Sequence, residues 1–386
     1  MSLVAASRIG RGARKVVLGV TLGAVLLSGC ARFDDSASSP FTTEPSWQDA
    51  EPETKDPQSP STSPQRPEGP CIDPDPNVVI SCLGRTGGIV ALGSGGAIVL
   101  DRDSLKVLTL APPVGPTEAP LPPEKEQEID QPIDVGTVDG GLMDIALSPS
   151  FYEDGLYYLY VTSPSDNRVI RVSEDGSVKP VLTGIPKGQT GNRGAIDFAG
   201  QDLLVLTGDA GNPAASGDPG SLAGKLLRVK DPVPGQPPNP EVLISGIGVA
   251  GDVCVGPEDI WVTDRTAVED RLQRVTKDGA VSTAWSWTDH PGVAGCAAAS
   301  DAVAVSMSTS NALAFAKIDP ATKSITEAPT LTVQNKYGRL NGATIGADGT
   351  VWVGTINKEA PGAPGPFDDR VVRIPPPSSG NGSGPD

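Results

Sequence analysis

A glycine leading into an apolar strand, a polar turn and a second strand recurs six times along this chain. The leading glycines are Gly88, Gly141, Gly194, Gly251, Gly295 and Gly342, spaced by 53, 53, 57, 44 and 47 residues. Gly194-Ala-Ile-Asp-Phe running on to Leu203-Leu-Val-Leu is one copy; Gly251-Asp-Val-Cys-Val running on to Ile260-Trp-Val is another. Most copies continue into a third strand with a basic residue inside it, as in Arg168–Val172, Lys225–Val229, Arg271–Val275 and Arg370–Ile374. A weaker fourth strand follows at Val178–Leu182, Glu241–Ile244 and Val281–Trp285. A repeat of four short antiparallel strands is a propeller blade, and it cannot bury both faces unless it stacks against neighbours. The pattern predicts an all-β fold, a six-bladed β-propeller of four-stranded antiparallel blades, with no amphipathic helix of ordinary length.

The last repeat ends near Ile374 without a fourth strand, while Val78–Leu83 is a strand with no repeat of its own. The reading is that Val78–Leu83 supplies the missing outer strand and closes the ring.

The flanks read differently. Arg8, Arg11, Arg14 and Lys15 precede an apolar run, Val16–Leu27, that is short for a membrane span and reads as an export signal. It ends in Leu27-Ser28-Gly29-Cys30, a bacterial lipobox. Residues 1–29 are therefore expected to be a lipoprotein signal peptide, with Cys30 the lipid attachment site. Its acyl chains would hold the protein on the outer face of the cell membrane, each buried methylene adding about 0.8 kcal/mol. Residues 30–70, rich in Ser, Pro, Glu, Asp and Thr, read as a disordered tether, and 377–386 as a disordered tail. The propeller is expected over 71–376.

The net charge is −17, and without the four cations of residues 1–29 it is −21. So acidic a body should not bind nucleic acid. Beyond Cys30 the cysteines are Cys71, Cys82, Cys254 and Cys296, an even number in an exported chain. Three pairings are open; Cys71–Cys82, a short local loop, and Cys254–Cys296, between adjacent repeats, are favoured. With no CxxC motif and one histidine, no zinc site is expected.

The most elaborated copy is Gly191–Lys230, whose second and third strands flank a Gly/Asp/Asn/Pro-rich loop, Gly208–Gly220. Such loops form where the backbone needs unusual dihedrals or must approach a ligand closely. Gly140-Gly-Leu-Met-Asp-Ile-Ala-Leu-Ser-Pro-Ser-Phe, Gly208-Asp-Ala-Gly-Asn-Pro with Ser221-Leu-Ala-Gly-Lys-Leu-Leu-Arg, and Tyr337-Gly-Arg-Leu with Gly349-Thr-Val-Trp-Val together resemble motifs of the soluble PQQ-dependent glucose/sorbosone dehydrogenases. The resemblance covers most of Gly88–Ile374 and implies the same six-bladed fold.

It also implies a chemistry: a histidine base takes a sugar hydroxyl proton, the quinone of PQQ takes the hydride, and calcium polarises the quinone. Aligned on Gly194, Ile196 and Phe198, the position of that histidine is Gly191, so no catalytic residue is assigned. On the resemblance, restoring Gly191→His should raise activity if the rest of the site survives. The family's Arg-Asn-Pro stretch aligns near Ile247–Val249, its cofactor lysine near Ser308–Thr309, and its second cofactor arginine with Asn341. Asp209, Asn212 and Arg339 keep cofactor-binding positions. Each also has a plain structural role open to it: turn capping for the first two, an ion pair inside the ring for Arg339. His290 reads as a surface residue, and Trp285 and Trp287 as blade packing. Asp73, Asp75, Glu128, Asp130 and Asp134 read as solvated loop acids rather than calcium ligands, so no metal site is assigned. The leading reading is a cell-envelope binding or scaffold protein that lacks the catalytic histidine, with a carbohydrate or an envelope protein as partner. The rival is an active PQQ- and calcium-dependent aldose dehydrogenase with Asp139 or Asp209 as base; a calcium-dependent lactone hydrolase comes third.

Overall fold

A computed structural model describes residues 66–235 and 239–377. The expected export signal with Cys30, the expected tether as far as residue 65 and the expected tail beyond Pro377 lie outside the described residues. The described chain forms six four-stranded antiparallel sheets, the six-bladed propeller expected from the repeats. Blades 1 to 5 run in simple meander order, over Thr86–Glu128, Leu142–Ile185, Gly194–Ser245, Val249–Trp287 and Val293–Thr332. Blade 6 takes Leu340–Ile345, Val351–Thr355 and Val371–Ile374 from the end of the chain and Val78–Ile80 from its start. Two helices, Phe151–Asp154 and Pro213–Gly217, are single turns.

The core is divided, as a ring requires. Six apolar clusters lie at the six seams between neighbouring blades. Tyr160, Leu182, Leu203 and Leu227 fill the seam of blades 2 and 3; Leu204, Leu226, Ile247 and Val262 fill that of blades 3 and 4. Leu203 and Leu204, adjacent in the chain, serve opposite faces of one blade, which is why the strands read as continuous apolar runs. Each such side chain contributes about 1.5–3 kcal/mol by leaving water.

The leading glycines let the inner strands converge. A β-carbon on Gly295 would run into Asn341 O of the next blade, and one on Gly194 would run into the Tyr160 ring.

Ring closure is fastened by polar contacts as well as by strand pairing. Val78 and Ile80 pair with Val372 and Val371, and the register is extended by Leu83 N to Asp369 O (2.9 Å) and Arg373 N to Asn77 O (2.8 Å). Asp73 pairs with Arg370 (2.9 Å), and Asp75 with Lys336 (2.8 Å) and the Tyr337 hydroxyl (2.9 Å). Arg66, five residues before Cys71, is buried and donates to Val78 O at 2.8 Å. Both favoured disulfides form: Cys71–Cys82 (Cα–Cα 5.5 Å) at the closing strand, and Cys254–Cys296 (6.0 Å) between the inner strands of blades 4 and 5.

Candidate functional site

In a four-stranded meander, the start of the inner strand and the end of the second strand share one face. The loops collected there are the chemically richest part of the protein. Arg193 and Arg339 precede inner strands; Arg102, Asp209, Arg265, Thr309 and Glu359 end or follow second strands. Around the ring axis these residues make a cluster of arginines about one glutamate. Arg102 Nη1 lies 3.3 Å from Glu359 Oε2, and Arg193 Nη2 lies 3.5 Å from Oε1. Arg102 also donates to Gly140 O (3.0 Å), and Arg193 to Asn341 Oδ1 (3.1 Å). Burial alone would raise the Glu359 carboxyl, but Arg193, Arg102, Arg339 and Arg85 together override it and hold it below the usual glutamate range. Arg102 is pushed down to about 10, first by burial and then by its neighbour Arg193. The Nε atoms of Arg102, Arg265 and Arg339 are buried with no hydrogen-bond partner among the described residues.

Gly191, the position that the sequence resemblance assigns to a histidine, is closed. Gly191 has φ +72°, and a β-carbon there would run into Asp209 Oδ1 and Gly211 N. A histidine therefore cannot be restored at Gly191 without moving the loop 208–212. Asp139, an alternative base in the sequence reading, is spent on the same turn: it accepts from Gly191 N (2.9 Å), Asn192 N (3.1 Å) and Asn192 Nδ2 (3.3 Å). Asp209 accepts from Gly211 N (2.8 Å) and also lines a cavity. Asn212 is exposed, precedes the Pro213–Gly217 turn and makes no side-chain cap. Fully buried Lys225 holds this loop from beneath, its Nζ donating to Ser216 O (2.6 Å), Ala223 O (3.1 Å) and Ala215 O (3.3 Å).

The cavity that Asp209 lines lies between blades 3, 4 and 5 and measures about 580 Å³. Its walls include Arg265, Asp270, His290 and Thr309. His290, which reads as a surface residue from the sequence, points Nδ1 at the buried Asp270 carboxylate, 3.3 Å away. Asp270 is fixed in turn by Gly292 N (2.7 Å) and Val293 N (3.1 Å). Sequence reasoning passed over Arg102, Arg193, Arg265 and Glu359 as well. The available signal was positional: Arg193 directly precedes an inner strand, and Arg102, Arg265 and Glu359 end or follow second strands.

Further along the axis the chemistry reverses. Asp144, Asp197 and Asp252 line one internal space with the Cys254–Cys296 pair. Each staples its blade to the next, accepting from Ile196 N (2.7 Å), Val255 N (2.8 Å) and Cys296 N (2.9 Å) respectively. Burial is the main cause that raises all three carboxyls, Asp197 to about 6 and Asp252 to about 7, with mutual repulsion adding to it for Asp144 and Asp252. Asp252 lies close to Cys254 and Cys296, but their sulfurs are joined to each other and are not thiolate ligands. The loop acids considered for calcium do not converge: Asp73 and Asp75 serve the ring seam, and Asp134 pairs with Lys187. Trp285 and Trp287 pack against the seam of blades 4 and 5.

Residues 123–249 match the profile of the Glucose / Sorbosone dehydrogenase family. Solved structures with the same fold include the PQQ-bound aldose sugar dehydrogenase of Streptomyces coelicolor, 25% identical, covering 77% of this chain and 95% of that one, with a TM-score of 0.66. A Thermus thermophilus oxidoreductase described as a glucose dehydrogenase is 21% identical, covering 77% and 98%, with a TM-score of 0.64. The soluble aldose sugar dehydrogenase of Escherichia coli, in its apo-form, is 16% identical, covering 78% and 99%, with a TM-score of 0.59. No curated protein sequence matches the chain. The fold is thus that of a PQQ-dependent sugar dehydrogenase-like propeller.

Proposed function

We propose that this glucose/sorbosone dehydrogenase-like propeller is an exported, lipid-anchored protein that binds a carbohydrate on the face where its inner strands begin, and does not oxidise it through the histidine route. The observation that carries this is Gly191: its backbone and the Asp209 loop occupy the space a base would need. Export and anchoring rest on the basic and apolar residues before Cys30 and on the lipobox itself.

The residues present fit PQQ only in part. Arg102, Arg193, Arg265 and Arg339 offer positive charge to a tricarboxylate, and three of them keep an Nε without a partner among the described residues. At Gly191, where the resemblance places the base, there is no side chain and no room for one, so no hydride step is derived for this chain. The deciding experiment is dye-linked oxidation of glucose and other aldoses by the full-length protein in detergent, with PQQ and calcium added. No turnover above a protein-free control is expected. Turnover that saturates with PQQ would overturn the reading.

A second reading, an active PQQ- and calcium-dependent aldose dehydrogenase, is favoured by the unpartnered guanidinium atoms alone. It requires calcium-dependent, saturable quenching of tryptophan fluorescence by PQQ as well as turnover.

A further inference from the structure

We propose that the cavity between blades 3, 4 and 5 is a binding site for a sugar acid, with Arg265 taking the carboxylate and the His290–Asp270 pair taking a neighbouring hydroxyl. This rests on the reading that the face binds a carbohydrate, and it names where and of what class.

Four observations converge. The first is size: about 580 Å³ is within the range of small-molecule sites and holds a monosaccharide or a disaccharide. The second is Arg265. Its Nε is buried without a partner among the described residues, on a wall of the cavity. Burial, with Arg193 adding to it, pushes the guanidinium down to about 10 against an opposite pull from Asp270, Glu359 and Asp139. A carboxylate in the cavity would add to that pull and could bind the planar fork with two parallel hydrogen bonds.

The third observation is the histidine. It is the chain's single His, and a non-glycine residue held at φ +50°, a conformation that costs of order 1 kcal/mol. A buried carboxylate faces its Nδ1, which favours the tautomer with the proton on that nitrogen and leaves Nε2 as an acceptor. A nitrogen positioned in this way accepts a hydrogen bond from a hydroxyl. The fourth is the rest of the lining. Pro213, Ile247 and Val249 give apolar surface for the C–H face of a sugar ring, and Thr266 and Thr309 give hydroxyls. The two acids on the walls do not cancel the cation. Asp270 accepts from two backbone amides as well as facing His290, and Asp209 accepts from Gly211 N.

The test is calorimetric titration of the full-length protein in detergent with D-glucuronate and, separately, D-glucose. Glucuronate is expected to bind at least ten-fold tighter than glucose. Arg265→Gln should remove that preference, weakening glucuronate about ten-fold and leaving glucose unchanged, while His290→Gln should weaken both sugars. Thr309→Phe, at an exposed position on the wall beside Pro291, should block both. Circular dichroism establishes that each variant is folded, and Thr309→Phe keeps the test open if Arg265→Gln is not. Glucose binding as tightly as glucuronate overturns the assignment of Arg265. Glucuronate binding that survives all three substitutions places the ligand elsewhere and overturns the cavity, while the carbohydrate reading stands. Binding of neither sugar overturns both.

Discussion

Two levels of one axis treat buried charge in opposite ways. Where the inner strands run on past their first residues, Asp144, Asp197 and Asp252 each accept an amide from the neighbouring blade, so the acids belong to the ring's own hydrogen bonding. Where the inner strands begin, arginines outnumber the carboxylate they share, and three guanidinium Nε atoms have no hydrogen-bond partner among the described residues. The first level is complete without a ligand. The second is held at a cost, since a buried polar group without a partner costs about 1–3 kcal/mol. Such a cost is expected where a ligand completes the set.

The comparison breaks first at Glu359. Replacing it by Gln leaves Arg102 and Arg193 without their shared counter-charge, and the expected loss is about 3–5 kcal/mol in urea-induced unfolding at pH 8. A smaller loss would mean that the arginines are satisfied by other means. Gly191→His should follow at about 3 kcal/mol, because it combines φ +72° with a clash against the Asp209 loop. Aldose oxidation should not appear in that variant. Wild-type stability with new turnover would show that the loop yields.

Asp252→Asn should act with the opposite sign to Glu359→Gln. The fold holds the Asp197 and Asp252 protons up to pH about 6 and about 7, against an ordinary 3.8. Between these values the folded chain binds more protons than the unfolded one, so stability falls as pH rises from about 4 to about 7. The melting temperature should be higher at pH 5 than at pH 8. Asp252→Asn should flatten that slope and match or exceed the wild type at pH 8, by about 1 kcal/mol. An unchanged slope would show that the axial acids ionise freely. The smallest effect belongs to the half-exposed pair Arg85–Asp103 (2.6 Å): Arg85→Ala should cost under about 0.5 kcal/mol by the same measurement.

Much of the architecture was legible in the residues. The glycine spacing predicted six blades because each repeat must place a strand without bulk at the axis, and Gly295 and Gly194 do so. The unpaired strand at Val78 predicted the closure, and the contact between adjacent repeats favoured Cys254–Cys296. The site was far less legible. Gly191 could be read as a missing base, but not as a position with no room for one. Asp139 looked available and proved to be held by three amide donors of one turn. His290 lies 20 residues from the aspartate that orients it, with nothing in their spacing to connect them.

Strand content, blade number and the pairing that closes the ring were determined by the sequence itself, because apolar alternation and glycine spacing act within a repeat or between adjacent ones. The partners of the charges were decided only by the tertiary structure. Arg193 meets Asn341, 148 residues away, and Glu359, 166 away. Ring closure brings loops of separate blades to one face, and burial there sets which charges are paired and which remain open to a ligand.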